Sequence, residues 1–207
     1  IQAYKGGATF GNLRKSLSNY SGEPGEEKIQ WTRAFRSNGS VSSFTKFNYV
    51  NDVLHDSAAT KYTAVGASYT SSVSNYTGFE NEEKILETTA YRVSTAVKSY
   101  TFYTYNAAMV LLRSDTWKDT DKVKRKSATL YTGQDEGEEK AKLTLNYSAL
   151  ADTVKTSTVF IYNSVTEMLQ LSVTYKDEVM IDQANTLLFI QAYKGGATFG
   201  NLRKSLS

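Results

Sequence analysis

Residues 1–18, IQAYKGGATFGNLRKSLS, recur without a change as residues 190–207. Two identical stretches of that length, 189 positions apart in one chain, are not a product of drift, and they limit what the chain can fold into. If the segment is an element of the fold, its two copies compete for a single slot. One copy is then redundant, or it is available to a neighbouring chain. Either a longer array repeats a larger block, or a first strand has been supplied twice so that a sheet can be completed.

A second, more diverged repetition lies inside the chain. Sliding the sequence by 56 residues lays SLSNYSGEPGEEKI (16–29) on SVSNYTGFENEEKI (72–85) without a gap. Beyond it Thr32, Ala34, Arg36, Val41, Ser43, Thr45 and Tyr49 meet Thr88, Ala90, Arg92, Val97, Ser99, Thr101 and Tyr105. A third copy begins at LYTGQDEGEEK (130–140), where Tyr131, Thr132 and Gly133 stand for Tyr20, Ser21 and Gly22 and the acidic stretch carries one extra residue. The expected organisation is a single domain, 1–189, of three internal units at about 1–56, 57–115 and 116–180, with the first strand of a further unit from 181. With one residue inserted, Tyr4, Gly7, Ala8, Thr9 and Phe10 align with Tyr62, Gly66, Ala67, Ser68 and Tyr69. Residues 1–18 are thus the opening of the first unit, and 190–207 a complementing or swapped strand.

The clearest line through all three units is an alternating stripe. It reads Val41, Ser43, Thr45, Phe47, Tyr49, then Val97, Ser99, Thr101, Tyr103, Tyr105, then Val154, Thr156, Thr158, Phe160, Tyr162. Residues two apart share one side of a strand, so the units share one strand face. Fifteen Tyr and a single Pro favour pleated surfaces in the same way. The expected class is all-β, with units of strands and short turns forming a sandwich or a pseudo-threefold β fold closed by a terminal strand. Gly22, Gly78 and Gly133 punctuate equivalent turns. The pieces that close the units, VNDVLHD, NAAMVLLRSD and NSVTEMLQL, read either as strands or as one to two helical turns capped by Asn106 and Asn163.

Composition closes several classes of chemistry. No apolar run approaches the ~20 residues of a membrane-spanning helix, so no membrane span is expected. There is no Cys, and His55 is the single histidine, which leaves neither thiolate sites nor a His cluster. In VLHDS the base, acid and hydroxyl of His55, Asp56 and Ser57 are consecutive and cannot ordinarily converge on one point. No catalytic, cofactor or metal residues are expected, and the chain reads as a non-enzyme. The acidic turns Glu23, Glu26, Glu27; Glu80, Glu82, Glu83; and Asp135, Glu136, Glu138, Glu139 read as solvated loops, because they lack the alternating spacing of a calcium loop. Lys118, Lys122, Lys124, Arg125 and Lys126 form a basic run beside Trp117, but a net charge of +3 argues against a nucleic-acid partner. Four Asn-x-Ser/Thr triplets mark Asn19, Asn38, Asn75 and Asn146 as candidate glycan acceptors.

The duplicated segment resembles, in layout, the donor-strand-complemented pilins and fibre subunits, in which the first strand of one subunit completes the sheet of the next. That resemblance implies a homo-oligomer or polymer formed by strand exchange, outside the cell or on its surface. The segment's apolar residues are then the assembly strand: Ile1, Ala3, Tyr4, Phe10 and Leu13, with their copies Ile190, Ala192, Tyr193, Phe199 and Leu202. Main-chain hydrogen bonds would give the affinity and alternate side chains the register. The first expectation is a structural subunit of an extracellular fibre or adhesive surface protein. Two alternatives are a carbohydrate-binding module of β-trefoil or β-prism type, with a carbohydrate partner, and a viral or phage coat protein.

Overall fold

The computed structural model describes residues 2–4, 14–148, 153–176 and 203–206. Every regular element among them is a β-strand. In chain order these are β1 (Gln2–Tyr4), β2 (Arg14–Ser21), β3 (Lys28–Phe35), β4 (Val41–Val50), β5 (Val53–Tyr62), β6 (Ser68–Thr77), β7 (Lys84–Tyr91) and β8 (Val97–Tyr105). They continue with β9 (Leu111–Trp117), β10 (Arg125–Thr132), β11 (Lys140–Tyr147), β12 (Val154–Tyr162), β13 (Leu169–Lys176) and β14 (Arg203–Leu206). The chain divides into two compact units, 1–101 and 102–207. In unit 1, β1 to β7 pair each with the next, all antiparallel. In unit 2, β9 to β14 do the same. No helix among the described residues is long and apolar enough to cross a membrane.

The three stripes are the strands β4, β8 and β12. The closing pieces are strands as well, and the reason lies in their turns. Asn51 and Asp52 both take positive φ (50° and 68°), the two-residue hairpin geometry whose twist matches that of the flanking strands. Asn106 and Asn163 do cap backbone N–H groups, but within hairpin loops. The Asn106 side-chain oxygen accepts from Ala108 and Val110 at 2.9 and 3.0 Å, and that of Asn163 accepts from Val165 and Thr166, both at 2.8 Å. Both chains then reverse into a strand, as Asn side chains at turns allow.

Four connections, that of Asn106 among them, share one five-residue design. Arg36, Thr63, Arg92 and Asn106 each donate their N–H to the carbonyl four residues on and accept from the N–H three residues on. The residue three on has positive φ in each: Gly39, Gly66, Thr95 and Met109. Glycine takes that conformation freely, whereas a β-branched Thr95 takes it against its own side chain.

Registers repeat as strictly as turns. On β2, Arg14 pairs with Tyr4 and Ser16 with Ala3, so Lys15 is skipped as a bulge. On β6, Thr70 pairs with Thr60 and Ser72 with Ala59, skipping Ser71. On β10, Arg125 pairs with Trp117 and Ser127 with Thr116, skipping Lys126. This places Tyr4 at the position of Thr60. The gapped alignment of Tyr4 with Tyr62 is therefore replaced by an ungapped one, fixed by the bulge.

The core of unit 2 is the face formed by Leu143, Leu145, Val159, Val173 and Tyr175. Leu143 stands opposite Val159, which stands opposite Val173. From Thr156 onward the stripe of β12 lies on the other face, while Val154, before the register shift, packs against the core. There Thr129 bonds Thr144 at 3.1 Å, and Thr158, opposite Thr144, bonds Thr174 at 2.9 Å, so hydroxyls run across four strands. Unit 1 builds the same row with Ser18 on Thr32 at 3.0 Å and Ser74 on Thr88 at 2.8 Å. The face common to the sequence units is thus a hydroxyl ladder in unit 2, with the aliphatic core behind it.

Candidate functional site: a strand slot and its acidic turn

The tetrapeptide Arg-Lys-Ser-Leu occurs at 14–17 and again at 203–206. Its first copy lies on β1 in the register given above, with Leu17 opposite Gln2. The second, β14, lies on β13: Leu206 opposite Val173, Ser205 opposite Thr174, Arg203 opposite Tyr175, with Lys204 skipped. One sequence thus occupies two slots with the same bulge. In each slot the arginine position pairs with that of an aromatic residue, Tyr4 or Tyr175, as Arg125 pairs with Trp117; at the β6 equivalent Thr70 pairs with Thr60. The Arg14 guanidinium lies 5.6 Å from the Phe35 ring, and that of Arg125 lies 5.7 and 5.2 Å from the rings of Trp117 and Tyr147.

Just beyond β2, β6 and β10 comes the acidic turn. Its glycine is obligatory, since Gly22 and Gly78 have φ of 130° and 120° and a Cβ there would lie 2.7 Å from the Glu26 carbonyl or 2.8 Å from that of Glu82. The turn delivers two side chains. The final glutamate reaches back to an earlier strand: Glu83 Oε1 accepts the Leu54 N–H at 2.9 Å, and Glu139 Oε1 accepts the Leu111 N–H at 2.9 Å. Burial of Glu83 works against its charge, but N–H groups of Leu54, Glu83 and Asn81 outweigh it and hold the carboxyl below its ordinary range. The lysine that follows folds over the last tyrosine of the stripe. Lys28 Nζ is 5.9 Å from the Tyr49 ring, and Lys140 Nζ is 5.9 Å from that of Tyr162. The tyrosine hydroxyls in turn donate to the carbonyls of Ile29 at 3.1 Å and Ala141 at 2.9 Å.

Two clefts result, one in each unit. The larger, ≈ 830 Å³, surrounds Lys28, whose ammonium contacts Asp52 at 3.0 Å and Glu80 at 2.7 Å and donates to the Asp52 carbonyl at 2.8 Å. Burial opposes its charge and the two carboxylates outweigh that, so its pKa is raised. The smaller, ≈ 440 Å³, surrounds Lys140, which contacts Glu167 at 2.6 Å. These are ion pairs that fasten turns to strands. Among the described residues no group of three or more His, Asp or Glu side chains is arranged to hold a metal ion.

Of the assembly-strand residues, Ala3 and Tyr4 lie in β1. Ile1, Phe10, Leu13, Ile190, Ala192, Tyr193, Phe199 and Leu202 lie outside the described residues. Asn19, Asn38 and Asn146 are exposed, whereas Asn75 is half-buried and donates its side-chain amide to Glu87 at 2.7 Å. The basic run is drawn onto aromatic rings and Asp115: Lys122 lies over Phe102 and Trp117, and Arg125 is 3.6 Å from Asp115. His55 is the skipped residue of β5, 3.0 Å from Asp56, while Ser57 bonds the Tyr76 hydroxyl at 3.1 Å. What the sequence reading missed is Glu83 and Glu139 as strand fasteners, and the Arg-Lys-Ser triplet at 14–16, 125–127 and 203–205. The triplet was visible as a string; the glutamate role needed the fold.

The geometry defines an antiparallel all-β protein with a recurrent strand slot. No protein-family model matches the chain, and no curated protein does. Solved structures that resemble it include the complex TcdB2-TccC3-Cdc42, at 11% identity and a TM-score of 0.26 over 84% of this chain. They also include a porin-like protein from Bacteroides uniformis ATCC 8492, at 11% identity and a TM-score of 0.25 over 79% of this chain and 89% of that one. The chain spans 12% of the length of the toxin-complex chain. Neither likeness is close enough to carry an argument.

Proposed function

We propose that this protein is a non-catalytic structural subunit of an extracellular fibre or repeat-built surface protein, assembling by β-strand addition. The observation that carries the reading is the double use of Arg-Lys-Ser-Leu, seated on β1 and on β13 in one register with one bulge. A strand edge that accepts a given sequence in cis accepts the same sequence from another molecule, since main-chain hydrogen bonds and the alternation of side chains are indifferent to which chain supplies them. The recurrence of the same skipped position at Lys15, Ser71 and Lys126 supports three internal units, each opened by such a strand. The exposed acceptor residues Asn19, Asn38 and Asn146 suit a glycosylated, extracellular setting.

The test is removal of residues 190–207, followed by size-exclusion chromatography and thermal unfolding. Strand donation predicts that the shortened chain polymerises or loses stability while the full chain stays a stable monomer. A shortened chain unchanged in both respects sinks the proposal.

A further inference from the structure

We propose that the turn leading into β13 is one half of a joint whose other half is the acidic turn of a second copy of this chain, with Glu27 of that copy accepting the N–H of Leu169. The inference rests on the strand-addition reading above and adds to it a register and a specific fastening. Leu54, Leu111 and Leu169 hold the same place, at the start of the strand that closes a unit, with Leu54 opposite Tyr49 and Leu169 opposite Tyr162. Leu54 and Leu111 receive Glu83 and Glu139. Among the described residues no carboxylate reaches Leu169, and residues 183–207 contain no Asp or Glu at all.

Burial tells the same story. Val110, one residue before Leu111, is 1% exposed, whereas Met168, one residue before Leu169, is 68% exposed, and Leu169 itself is 54% exposed. The joint is covered beside Leu111, which Glu139 reaches, and open beside Leu169, which no described carboxylate reaches. On the other side, Glu27 is already shaped for the role. Its Oε2 accepts the Gly25 N–H at 3.1 Å, as Glu139 Oε2 accepts that of Gly137 at 2.8 Å, and no described residue donates to its Oε1.

The path between the halves is set by register. Within its described residues β14 pairs with Val173, Thr174 and Tyr175 of β13. β2 of a second copy, placed with Leu17 opposite Val173 as Leu206 is, runs four residues further, sets Ser18 opposite Ser172, and carries Gly22 and Glu27 to the open turn. Its internal precedents are Ser74 opposite Ser57 and Thr129 opposite Ser114. Not every contact is renewed: the place held by Glu80 in the second turn is Pro24 in the first, so the joint gives Lys140 no second carboxylate.

The test uses the full chain carrying Ser205→Pro, which removes a ladder donor from β14 and frees its slot. Self-association is followed by sedimentation. With no native cysteine, Ser18→Cys and Ser172→Cys chains are mixed and oxidised, because facing residues of an antiparallel pair lie within disulfide reach. We expect a mixed disulfide between Ser18→Cys and Ser172→Cys but not between Asn19→Cys and Ser172→Cys. Glu27→Gln is expected to weaken association about tenfold, the worth of one charge-assisted hydrogen bond, and to speed exchange of the Leu169 amide within the assembly. The same mixture without Ser205→Pro, at high concentration, guards against a folding defect in that variant. Association with neither the cross-link nor any effect of Glu27→Gln overturns the joint and leaves strand addition standing. A failure of every variant to associate overturns both.

Discussion

Unit 1 and unit 2 use one pairing grid for opposite contents. In unit 2, Leu143 faces Val159 and Leu145 faces Ser157, and all four are buried. The same grid positions in unit 1 hold Trp31 facing Lys46 and Arg33 facing Phe44, all of them outside the buried set. There the Arg33 guanidinium sits 4.9 Å from the Trp31 ring and 5.5 Å from that of Phe44, with the rings themselves 6.0 Å apart. An aliphatic core and a cation–aromatic cluster are thus interchangeable on the same frame. What fixes the frame is therefore common to both units: the bulge after each opening arginine or threonine, the hydroxyl row, and a glutamate, Glu83 or Glu139, that ties a turn to an earlier strand.

The largest effect that separates the units is core truncation. Leu143→Ala should cost about 3 kcal/mol, because the cavity lies among buried neighbours, whereas Trp31→Ala should cost about 1 kcal/mol, since Trp31 is only partly buried. Urea midpoints of the two variants decide this. Equal losses would mean that the cation–aromatic cluster is as much a core as the aliphatic one.

Alkaline pH provides the next contrast. Tyr100 in unit 1 and Tyr105 in unit 2 are both pushed up to about 12, Tyr100 by burial and its hydrogen bond to Glu87, Tyr105 by burial and then by neighbouring Tyr103 and Glu139. An unfolded tyrosine ionises at 10.0, so above that pH the unfolded chain has released protons that the folded chain still holds. Stability should be intact below pH 10 and fall between 10 and 12. Glu87→Gln should bring the phenol of Tyr100 down and leave that of Tyr105 in place, as read by ultraviolet titration of the phenolates. A common shift of both would show that the hydrogen bond is not the distinguishing cause.

The acidic turns come third. Glu83→Ala strips the Leu54 N–H of its acceptor and should cost about 1.5 kcal/mol, while Glu27→Ala in the isolated chain should cost about 0.3 kcal/mol. Because the Glu83 carboxyl is held below its ordinary 4.5, its contribution is full above that pH and is lost as the pH falls from there through the lowered value. Acid unfolding of Glu83→Ala should accordingly be the shallower of the two. If Glu27→Ala proves as costly as Glu83→Ala, Glu27 has a strand partner within its own chain besides the Gly25 N–H of its own turn.

How far the sequence reached follows from where its signals lie. The stripe of β4, β8 and β12 was readable because a period of two in three registers has one structural meaning. Its burial was not. Thr156 and Thr158 belong to a polar ladder, while the drifting residues Ser157 and Val159 face the core, and repetition marks what the units share rather than what is buried. The closing pieces stayed open because Asn106 and Asn163 can cap a helix or a hairpin loop with the same side-chain oxygen, and the positive φ of Met109 and Glu167, which chooses the loop, has no signature in those residue types. The fastening by Glu83 and Glu139 was hidden for a further reason. It links residues 28 or 29 positions apart, and only strand pairing brings them together.

The smallest contrast tests the turns alone. Gly39 and Gly66 fill the positive-φ place of two five-residue connections, and Thr95 fills it in a third at a φ of 65°. Hydrogen bonding is the same in all three, the N–H of each donating back to the first residue of its turn at 3.0, 3.1 and 3.0 Å. Any difference in stability then arises from the backbone preference of the residue itself. A β-branched side chain in the left-handed region is strained by about 1 kcal/mol, part of which glycine returns as chain entropy in the unfolded state, so Thr95→Gly should stabilise by about 0.5 kcal/mol. Gly66→Thr should destabilise by about 1 kcal/mol, although nothing lies within 4 Å of the Cβ it would add, because the strain comes from φ and not from crowding. Thermal unfolding of the pair checks both signs. If Thr95→Gly lost stability instead, the threonine hydroxyl, which donates to the Ser94 carbonyl at 2.5 Å, would be holding the turn more strongly than its backbone strain opposes it.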